Sequence, residues 1–290
     1  MKIVSPVWGD YELIDSGGYE KLERFGKYVI SRPEPQAIWS KGLSDPDWHQ
    51  QADAKFNKLK GSADKGQWSL KKGMPEQWWV QYHLKNSKLN LRLGLTSFKH
   101  VGIFPEQADN WNFIYDTIKR MNSKTTILNL FAYTGAASLA ARAAGAEVVH
   151  LDSVKQVVTW ARENMEQSKL SGISWVIEDA LKFVNREVKR GRKYQGIILD
   201  PPAYGRGPKG EKWLLEDLLP ELLIHCEKLL DGRNRFLVLN LYSMGLSPLV
   251  AESLVNSIFK LKSEAGELFF QDRAGRKLPL GVFSRFTRQA

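Results

Sequence analysis

The stretch that decides the fold is Gly196-Ile197-Ile198-Leu199-Asp200-Pro201-Pro202-Ala203-Tyr204. Its apolar start predicts a short buried strand, and the two prolines end that strand because proline has no N–H to donate to a sheet. The residue before a proline is also biased towards extended backbone, so Asp200 closes the strand in a stiff loop. In an open α/β sheet, ligands bind at the carboxyl ends of the strands. The stretch therefore predicts a binding edge with a carboxylate, free carbonyl groups and the ring of Tyr204.

Strand-like and helix-like segments alternate from residue 124 to the end of the chain. This alternation is typical of a parallel sheet covered by helices. Besides the strand that ends at Asp200, strands are predicted at 125–131, 146–152, 174–179, 235–240, 267–272 and 280–286. Helices are predicted at 106–121, 136–144, 154–167, 180–188, 211–230 and 249–259. The predicted fold class is therefore α/β, with a Rossmann-like sheet closed by a hairpin.

Residues 1–95 have a different composition and are predicted to form a small β-rich N-terminal domain, ahead of a second domain at 96–290. Short β-type runs alternate there with glycine turns, which predicts strands near 11–14, 27–31, 78–84 and 88–95. The tryptophans of this region are interpreted as the core of a small sheet, with stacking on RNA as the alternative. Its lysines between positions 55 and 72 form either a solvated loop or a face that tracks phosphates.

The chain of 290 residues carries a net charge of +10 and has a pI of about 9.5. This charge suits a polyanionic partner such as RNA, although a merely basic protein has it too. No apolar run approaches the roughly 20 residues of a membrane helix and no signal-peptide segment is visible, so we expect a cytoplasmic protein without a membrane partner. The single cysteine, Cys226, excludes an internal disulfide and a cysteine-rich zinc site. The five histidines lack metal-ligand spacing, so no metal is expected, and the sequence indicates no particular oligomeric state.

The first junction between strand and helix, residues 129–135, carries one glycine, whereas the dinucleotide fingerprint has several. Phe131 and Tyr133 stand there instead, which favours a cofactor without phosphates. Asp152, at the end of the second strand, is placed to accept both ribose hydroxyls of a nucleoside. Asp179, at the end of the third strand, is placed to accept from an adenine amino group. Each acid alone is equally well explained as a helix cap, but their joint order points to S-adenosylmethionine.

Three motifs in this order resemble those of class I S-adenosylmethionine-dependent methyltransferases, over residues 96–290. Residues 127–135 (ILNLFAYTG) resemble the cofactor loop of ribosomal-RNA methyltransferases related to the large-subunit cytosine-C5 enzymes. Residues 200–204 (DPPAY) resemble their target-base motif, and residues 96–107 are similar to the segment that precedes the core and touches the cofactor. The resemblance implies a seven-stranded sheet in the order 3-2-1-4-5-7-6 with the seventh strand antiparallel. The predicted cofactor-binding residues are Phe104, Gln107, Asn129, Phe131, Ala132, Tyr133, Thr134, Gly135, Asp152, Ser153, Asp179, Ala180 and Asp200.

The predicted catalytic residues belong to the loop after the central strand, and they are Asp200, Pro201, Pro202 and Tyr204. The carboxylate and the Pro201 carbonyl would accept hydrogen bonds from a base, while Tyr204 would stack on it. In the C5 enzymes of the family a cysteine follows the fifth strand, and residues 239–245 contain none. Cys226 lies within a predicted helix and is interpreted as a core residue. The prediction is therefore methylation of a ring or exocyclic nitrogen without a covalent intermediate.

The leading hypothesis from these patterns is an enzyme that uses S-adenosylmethionine to methylate a base of ribosomal RNA. A methyltransferase of a protein side chain or a small metabolite is the second hypothesis, because the same loop orients any planar amide or amine. The third is a module that binds the cofactor without catalysis. The basic segment 205–213 is expected either to be a surface loop or to hold phosphates beside the base and order on binding.

Overall fold

The computed structural model describes residues 2–59, 61, 65–121, 123–242 and 245–288. Its helices are α1 (Asp45–Gln51), α2 (Ala108–Met121), α3 (Ala136–Ala143), α4 (Lys155–Gln167), α5 (Ala180–Lys189), α6 (Leu215–Leu229) and α7 (Pro248–Phe259). A short 3₁₀ turn, Pro105–Gln107, leads into α2. Lys60, Ser243 and Met244, which belong to segments considered above, lie outside the described residues.

The strands fall into a first group before the 3₁₀ turn and a second group after α2. The first group is β1 (Lys2–Val4), β2 (Tyr11–Gly17), β3 (Glu20–Phe25), β4 (Tyr28–Pro33), β5 (Ala54–Lys58), β6 (Gly66–Leu70), β7 (Gln77–Leu84) and β8 (Ser87–Gly94). The second group is β9 (Thr126–Leu130), β10 (Glu147–Asp152), β11 (Ile173–Ile177), β12 (Gly196–Leu199), β13 (Tyr204–Arg206), β14 (Lys212–Leu214), β15 (Arg235–Leu241), β16 (Glu264–Gln271) and β17 (Lys277–Arg288).

The large central sheet has eight strands in the order β1-β16-β17-β15-β12-β9-β10-β11. Strands β9, β10, β11, β12 and β15 run parallel, while β17 runs antiparallel to β15. Without β1, the strands follow the predicted order 3-2-1-4-5-7-6. Strands β12 and β15 are buried along their whole length, which explains their almost continuous apolar sequence. The predicted fold class is confirmed.

Helices cover both faces of this sheet. Helices α2 and α3 pack with β7 and β8 in one hydrophobic core. Helices α5, α6 and α7 pack with other side chains of the large sheet in a second hydrophobic core. Each core is formed because the helices are apolar on the face turned to the sheet. The carboxyl ends of the parallel strands are left for the loops that carry the predicted site.

The N-terminal region contains a five-stranded sheet, β2-β3-β4-β5-β6, and the hairpin β7–β8. Trp8 and Val80 of this region share a core with Trp111 and Ile114 of α2. The Trp8 indole N–H also donates to the Gln81 carbonyl at 2.6 Å. The boundary at residue 95 therefore stays a prediction, because both sides of it pack into one core.

The structure adds elements that the sequence patterns did not predict. Strand β1 extends the large sheet as an eighth strand at its edge, and its exposed residues show no periodicity of burial. Residues 205–213, expected as a loop, take part in the hairpin β13–β14, so α6 begins at Leu215 rather than at 211. Strands β3, β5 and β6 were also missed, because charged and polar side chains interrupt their apolar pattern.

Candidate active site

The loop between β9 and α3 has a left-handed backbone at three positions. Phe131, Tyr133 and Gly135 have φ angles of 54°, 49° and 89°. Non-glycine residues adopt such angles rarely and at a cost, so surrounding contacts must hold them. Asp152, at the end of β10, accepts from the Tyr133 N–H at 2.9 Å. Position 135 requires glycine, because a Cβ there would lie 2.9 Å from the Ala161 Cβ. The loop is thus held between β10 and α4.

The segment before α2 packs directly on this β9–α3 loop. Thr134 donates from Oγ1 to the Gly102 carbonyl at 2.5 Å, and the ring centroids of Phe104 and Tyr133 lie 5.5 Å apart. Gly102 has a φ of 103°, and a Cβ there would lie 2.3 Å from the Trp160 ring. Only glycine at position 102 therefore allows the backbone to approach the Trp160 ring this closely. The segment before α2 therefore covers the β9–α3 loop.

An open cavity of about 520 Å³, a volume that includes its opening to solvent, lies at the carboxyl edge of the sheet, between the β9–α3 loop, α2 and the ends of β12 and β15. Within the described chain, no lysine or arginine lines it. Its wall brings together many residues predicted from the sequence, namely Phe104, Gln107, Asn129, Phe131, Ala132, Tyr133, Thr134, Gly135 and Asp200. Residues far apart in the chain thus meet around one space.

A smaller cavity, of about 320 Å³, shares Phe131 with the first. The Phe131 ring packs against Trp213 with 4.8 Å between centroids, and the Trp213 indole N–H donates to the Pro202 carbonyl at 2.7 Å. The hairpin β13–β14 therefore forms one wall of this cavity. Further predicted residues that line it are Ser153, Asp179, Ala180 and Pro202.

Three predicted residues line neither cavity. Asp152 lies beneath the β9–α3 loop, where burial raises the pKa of its carboxyl and hydrogen bonds from backbone N–H groups oppose the rise. Pro201 is buried, whereas Tyr204 is 54% exposed at the start of β13. Asp179 does line the smaller cavity, but it also caps α5 by accepting from the Lys182 N–H at 2.9 Å. The structure thus shows the helix cap, and the contact of Asp179 with an adenine amino group stays a prediction.

Asp200 is held by a side chain from the neighbouring strand. Asn240 of β15 donates from Nδ2 to the Asp200 Oδ1 at 2.6 Å. Burial raises the pKa of Asp200 to about 6, and the bond from Asn240 opposes that rise. Among the described residues, Asn240 is the one hydrogen-bonding partner found for this carboxylate. Asp200 lines the larger cavity, and its carboxylate has acceptor capacity beyond the bond from Asn240.

Charged side chains of the N-terminal region lie close to the acids of this site. Glu106, in the 3₁₀ turn, is 5% exposed, and burial raises its pKa to about 7. The positive charges of Lys21 and Arg32 oppose this rise, while the charge of Asp200 adds to it. Arg32 makes two hydrogen bonds to the Glu23 carboxylate, at 2.5 and 3.0 Å. The N-terminal strands thus contribute to the electrostatics of the site.

A relay of buried polar side chains fixes Asn129. Its Nδ2 donates to the Ser138 Oγ at 2.8 Å, and that hydroxyl lies 3.0 Å from the His150 Nδ1. Burial lowers the pKa of His150 to about 3, so its ring is neutral at physiological pH. Asn129 lines the larger cavity. Because its amide nitrogen donates to Ser138, its amide oxygen is the group that can accept a hydrogen bond from a ligand.

The residues around the two cavities fit S-adenosylmethionine. The larger cavity offers acceptors, among them the Asn129 amide oxygen and the Asp200 carboxylate, which suit a ligand with positive ammonium and sulfonium groups. Among the described residues, the larger cavity has no lysine or arginine in its wall that would attract a pyrophosphate. In the smaller cavity the Phe131 and Trp213 rings and the Asp179 carboxylate suit an adenine with its amino group.

Sequence reasoning missed Asn240, Asn110 and Trp213 as parts of these walls. Asn240 carried a usable signal, because it is an amide at the end of an apolar strand. Trp213 carried no such signal, since it lies in a basic segment that reads as a surface loop.

The Cys226 thiol lies away from both cavities. Cys226 is buried in α6, as expected for a core residue, and burial raises the pKa of its thiol. Across the described ranges, no group of three or more potential metal ligands occurs. Nor does the described part of the chain include a helix long and apolar enough to cross a membrane.

Comparison with known proteins agrees with the fold. The family described as Conserved hypothetical protein 95 matches residues 98–230. The crystal structure of a SAM-dependent methyltransferase from Agrobacterium tumefaciens is 37% identical and has a TM-score of 0.91, over 99% of this chain and 93% of that one. The chain belongs to the S-adenosylmethionine-dependent methyltransferases, and S-adenosylmethionine is the cofactor.

Curated relatives align with shorter parts of the chain. A ribosomal RNA large subunit methyltransferase K/L from Shewanella frigidimarina is 30% identical over 153 residues, which are 51% of this chain and 21% of that protein. A ribosomal RNA large subunit methyltransferase I from Aeromonas salmonicida is 31% identical over 106 residues, which are 36% of this chain and 26% of that protein. The chain thus spans about a quarter of the length of these relatives.

Proposed function

We propose that the protein transfers a methyl group from S-adenosylmethionine to a ring or exocyclic nitrogen of a base in ribosomal RNA. The observation that carries the proposal is the Asp200 carboxylate, which lies at the wall of the larger cavity and has acceptor capacity to spare. The names of the curated relatives support RNA as the substrate, and so does the net charge of +10. Ribosomal RNA as the substrate implies a cytoplasmic location for the protein.

When bound, S-adenosylmethionine would supply an electrophilic methyl group: the target nitrogen would form the new C–N bond, the electron pair of the broken C–S bond would stay on sulfur, and the nitrogen would release one proton to solvent. The chain's part is to bind and orient. The Asp200 carboxylate and the Pro201 carbonyl accept N–H groups of the base, which fixes the direction of the nitrogen lone pair. Tyr204, with its exposed ring, stacks on the base. A base in a paired region must leave its stack to reach this loop.

The proposal excludes a covalent cysteine intermediate. Cys226 is the single cysteine of the sequence, and it lies on α6 with its thiol fully buried in the hydrophobic core. A nucleophilic thiol needs exposure and a lowered pKa, whereas burial raises the pKa of this one. Carbon-5 methylation of cytosine requires such a nucleophile, so nitrogen is the proposed acceptor.

The test is transfer of labelled methyl groups from S-adenosylmethionine into extracts of a strain that lacks this gene, with RNA, protein and small molecules separated afterwards. We expect label in the RNA fraction, and we expect the Asp200→Ala variant to keep measurable, weaker binding of S-adenosylhomocysteine yet transfer no label. Label confined to protein or small molecules would overturn the RNA substrate. If the protein binds the cofactor but transfers label to no fraction, it is a cofactor-binding module without catalysis.

A further inference from the structure

Asn240 lies beside Asp200 because of the register of two parallel strands. Leu199 of β12 pairs with Leu239 of β15, so the next residue of each strand, Asp200 and Asn240, meet at the carboxyl edge of the sheet. Asn240 is 6% exposed and lines the larger cavity. On its other side, β17 pairs antiparallel with β15. The amide is therefore placed by the sheet itself and not by a mobile loop.

The two ends of the Asn240 amide have different surroundings. Its Nδ2 donates to the Asp200 Oδ1, whereas its Oδ1 is buried and has no hydrogen-bond partner within the described residues. A buried acceptor without a partner is unfavourable and needs an explanation. An ionised carboxylate only accepts, so it fixes which end of the amide faces it. The bond to Asp200 is thus the interaction that accounts for an asparagine at this position.

We propose that Asn240 is a positioning residue of the methyl-transfer site, which occupies one oxygen of Asp200 and leaves the other to the target nitrogen. The inference rests on the proposed function and narrows its substrate. A carboxylate oxygen attracts an N–H group and repels a lone pair. The site therefore selects a nitrogen that carries a hydrogen, such as an amino group or a ring N–H, over a ring nitrogen that has only a lone pair.

The same bond makes the charge of Asp200 depend on Asn240. The charges of Glu106 and Asp200 interact, Tyr133 lines the same cavity as Asp200, and the charges of Lys21 and Arg32 act on Glu106. Burial raises the pKa of Tyr133 to about 12, so it stays neutral. Asn240 donates to Asp200 and not to Glu106. Its removal should therefore raise the pKa of Asp200 above about 6, since burial would act without an opposing bond.

The first experiment needs no substrate. Protein labelled with ¹³C at the aspartate carboxyls is titrated by NMR as wild type, as Asn240→Leu and as Asn112→Ala. Asn112 is a matched control, because its amide donates at 2.7 Å to the neutral Tyr82 hydroxyl. We expect Asp200 to titrate near pH 6 in wild type and control and at a higher pH in Asn240→Leu. The same midpoint in all three proteins would overturn the inference.

The second experiment measures methyl transfer to RNA against pH. Loss of an orienting hydrogen bond to a charged group should lower kcat roughly 10- to 100-fold, while the affinity for S-adenosylhomocysteine changes far less. Activity requires ionised Asp200, so it is lost as the pH drops below the pKa of this carboxyl. The acid limb of the pH profile should therefore move to higher pH in Asn240→Leu. Asn240→Ala is a second variant that lacks the donor, and it should show the same change. Wild-type kcat and an unmoved limb in either folded variant would contradict the role of Asn240.

The outcomes separate this inference from the proposed function. If label enters protein instead of RNA while the NMR midpoint still moves, the RNA substrate fails and the Asn240–Asp200 pair stands. If RNA is methylated but the midpoint does not move, the proposed function stands and the role of Asn240 fails. A product methylated at a nitrogen that carried no hydrogen would refute the selection of an N–H group.

Discussion

Replacing Ser138 by alanine tests whether the buried relay beneath the β9–α3 loop serves the cofactor. Ser138 is 0% exposed and bridges Asn129 and His150, which are 2% and 0% exposed. Water cannot replace its hydroxyl, so each partner left unpaired costs about 1–3 kcal/mol. We expect the free energy of unfolding to fall by about 2–4 kcal/mol, at the lower end if the neighbours relax. The Asn129 amide also becomes free to rotate, and loss of one well-placed acceptor for the ligand weakens binding about tenfold.

The assay pairs urea unfolding with calorimetric titration of S-adenosylhomocysteine. The control is Ser284→Ala, because Ser284 is equally buried but its hydroxyl bonds to Ser263 at 2.9 Å, away from both cavities. The control should lose stability and keep its affinity for the ligand. Ser138→Ala with unchanged affinity would refute the account of the relay as a support for the cofactor site. Ser138→Ala with unchanged stability would refute the energies assigned to its two bonds.

Three further substitutions test separate parts of the site. Asp152→Ala should abolish cofactor binding, because the ribose loses its acceptor and the Tyr133 N–H loses its partner; unchanged affinity by calorimetry would refute the assignment. Tyr204→Ala should leave cofactor affinity unchanged and slow methyl transfer by about 10- to 100-fold, as expected for a lost stacking contact, whereas Tyr204→Phe keeps the ring and should keep the rate; equal rates in all three proteins would place the base elsewhere. Cys226→Ser should keep full turnover and lower the free energy of unfolding by about 1–3 kcal/mol, because a hydroxyl replaces an apolar thiol in the core. Loss of turnover in a folded Cys226→Ser protein would reopen thiol chemistry.

The sequence predicted those parts of the fold in which local pattern and burial agree. The strands β9, β12 and β15 are apolar runs buried on both faces, and the acids and prolines that end them are strong local signals. Because parallel strands present their carboxyl ends at one edge, these signals also predicted which residues meet. Phe104 and Gln107 were added by resemblance, and the structure places both in the wall of the larger cavity.

The elements that escaped prediction depend on contacts made far along the chain. Strand β3 buries Glu23 against Arg32, so its charged sequence gives no sign of its burial. Strand β1 is defined by its pairing with β16, some 260 residues later. The register of β12 with β15 places Asn240 beside Asp200, and no local sequence pattern specifies that register. The assigned roles of the site residues stay predictions until the variants are measured.

The measurement that tests the central claim most directly is nucleoside analysis of the RNA that the protein methylates. RNA from the strain that lacks the gene is incubated with the protein and S-adenosylmethionine, digested, and compared by mass spectrometry with an untreated sample and with the Asp200→Ala variant. The account predicts one additional nucleoside, methylated on a nitrogen, that is absent with the variant. A cytidine methylated at carbon 5 would contradict the account, since that product requires the accessible thiol that Cys226 does not provide.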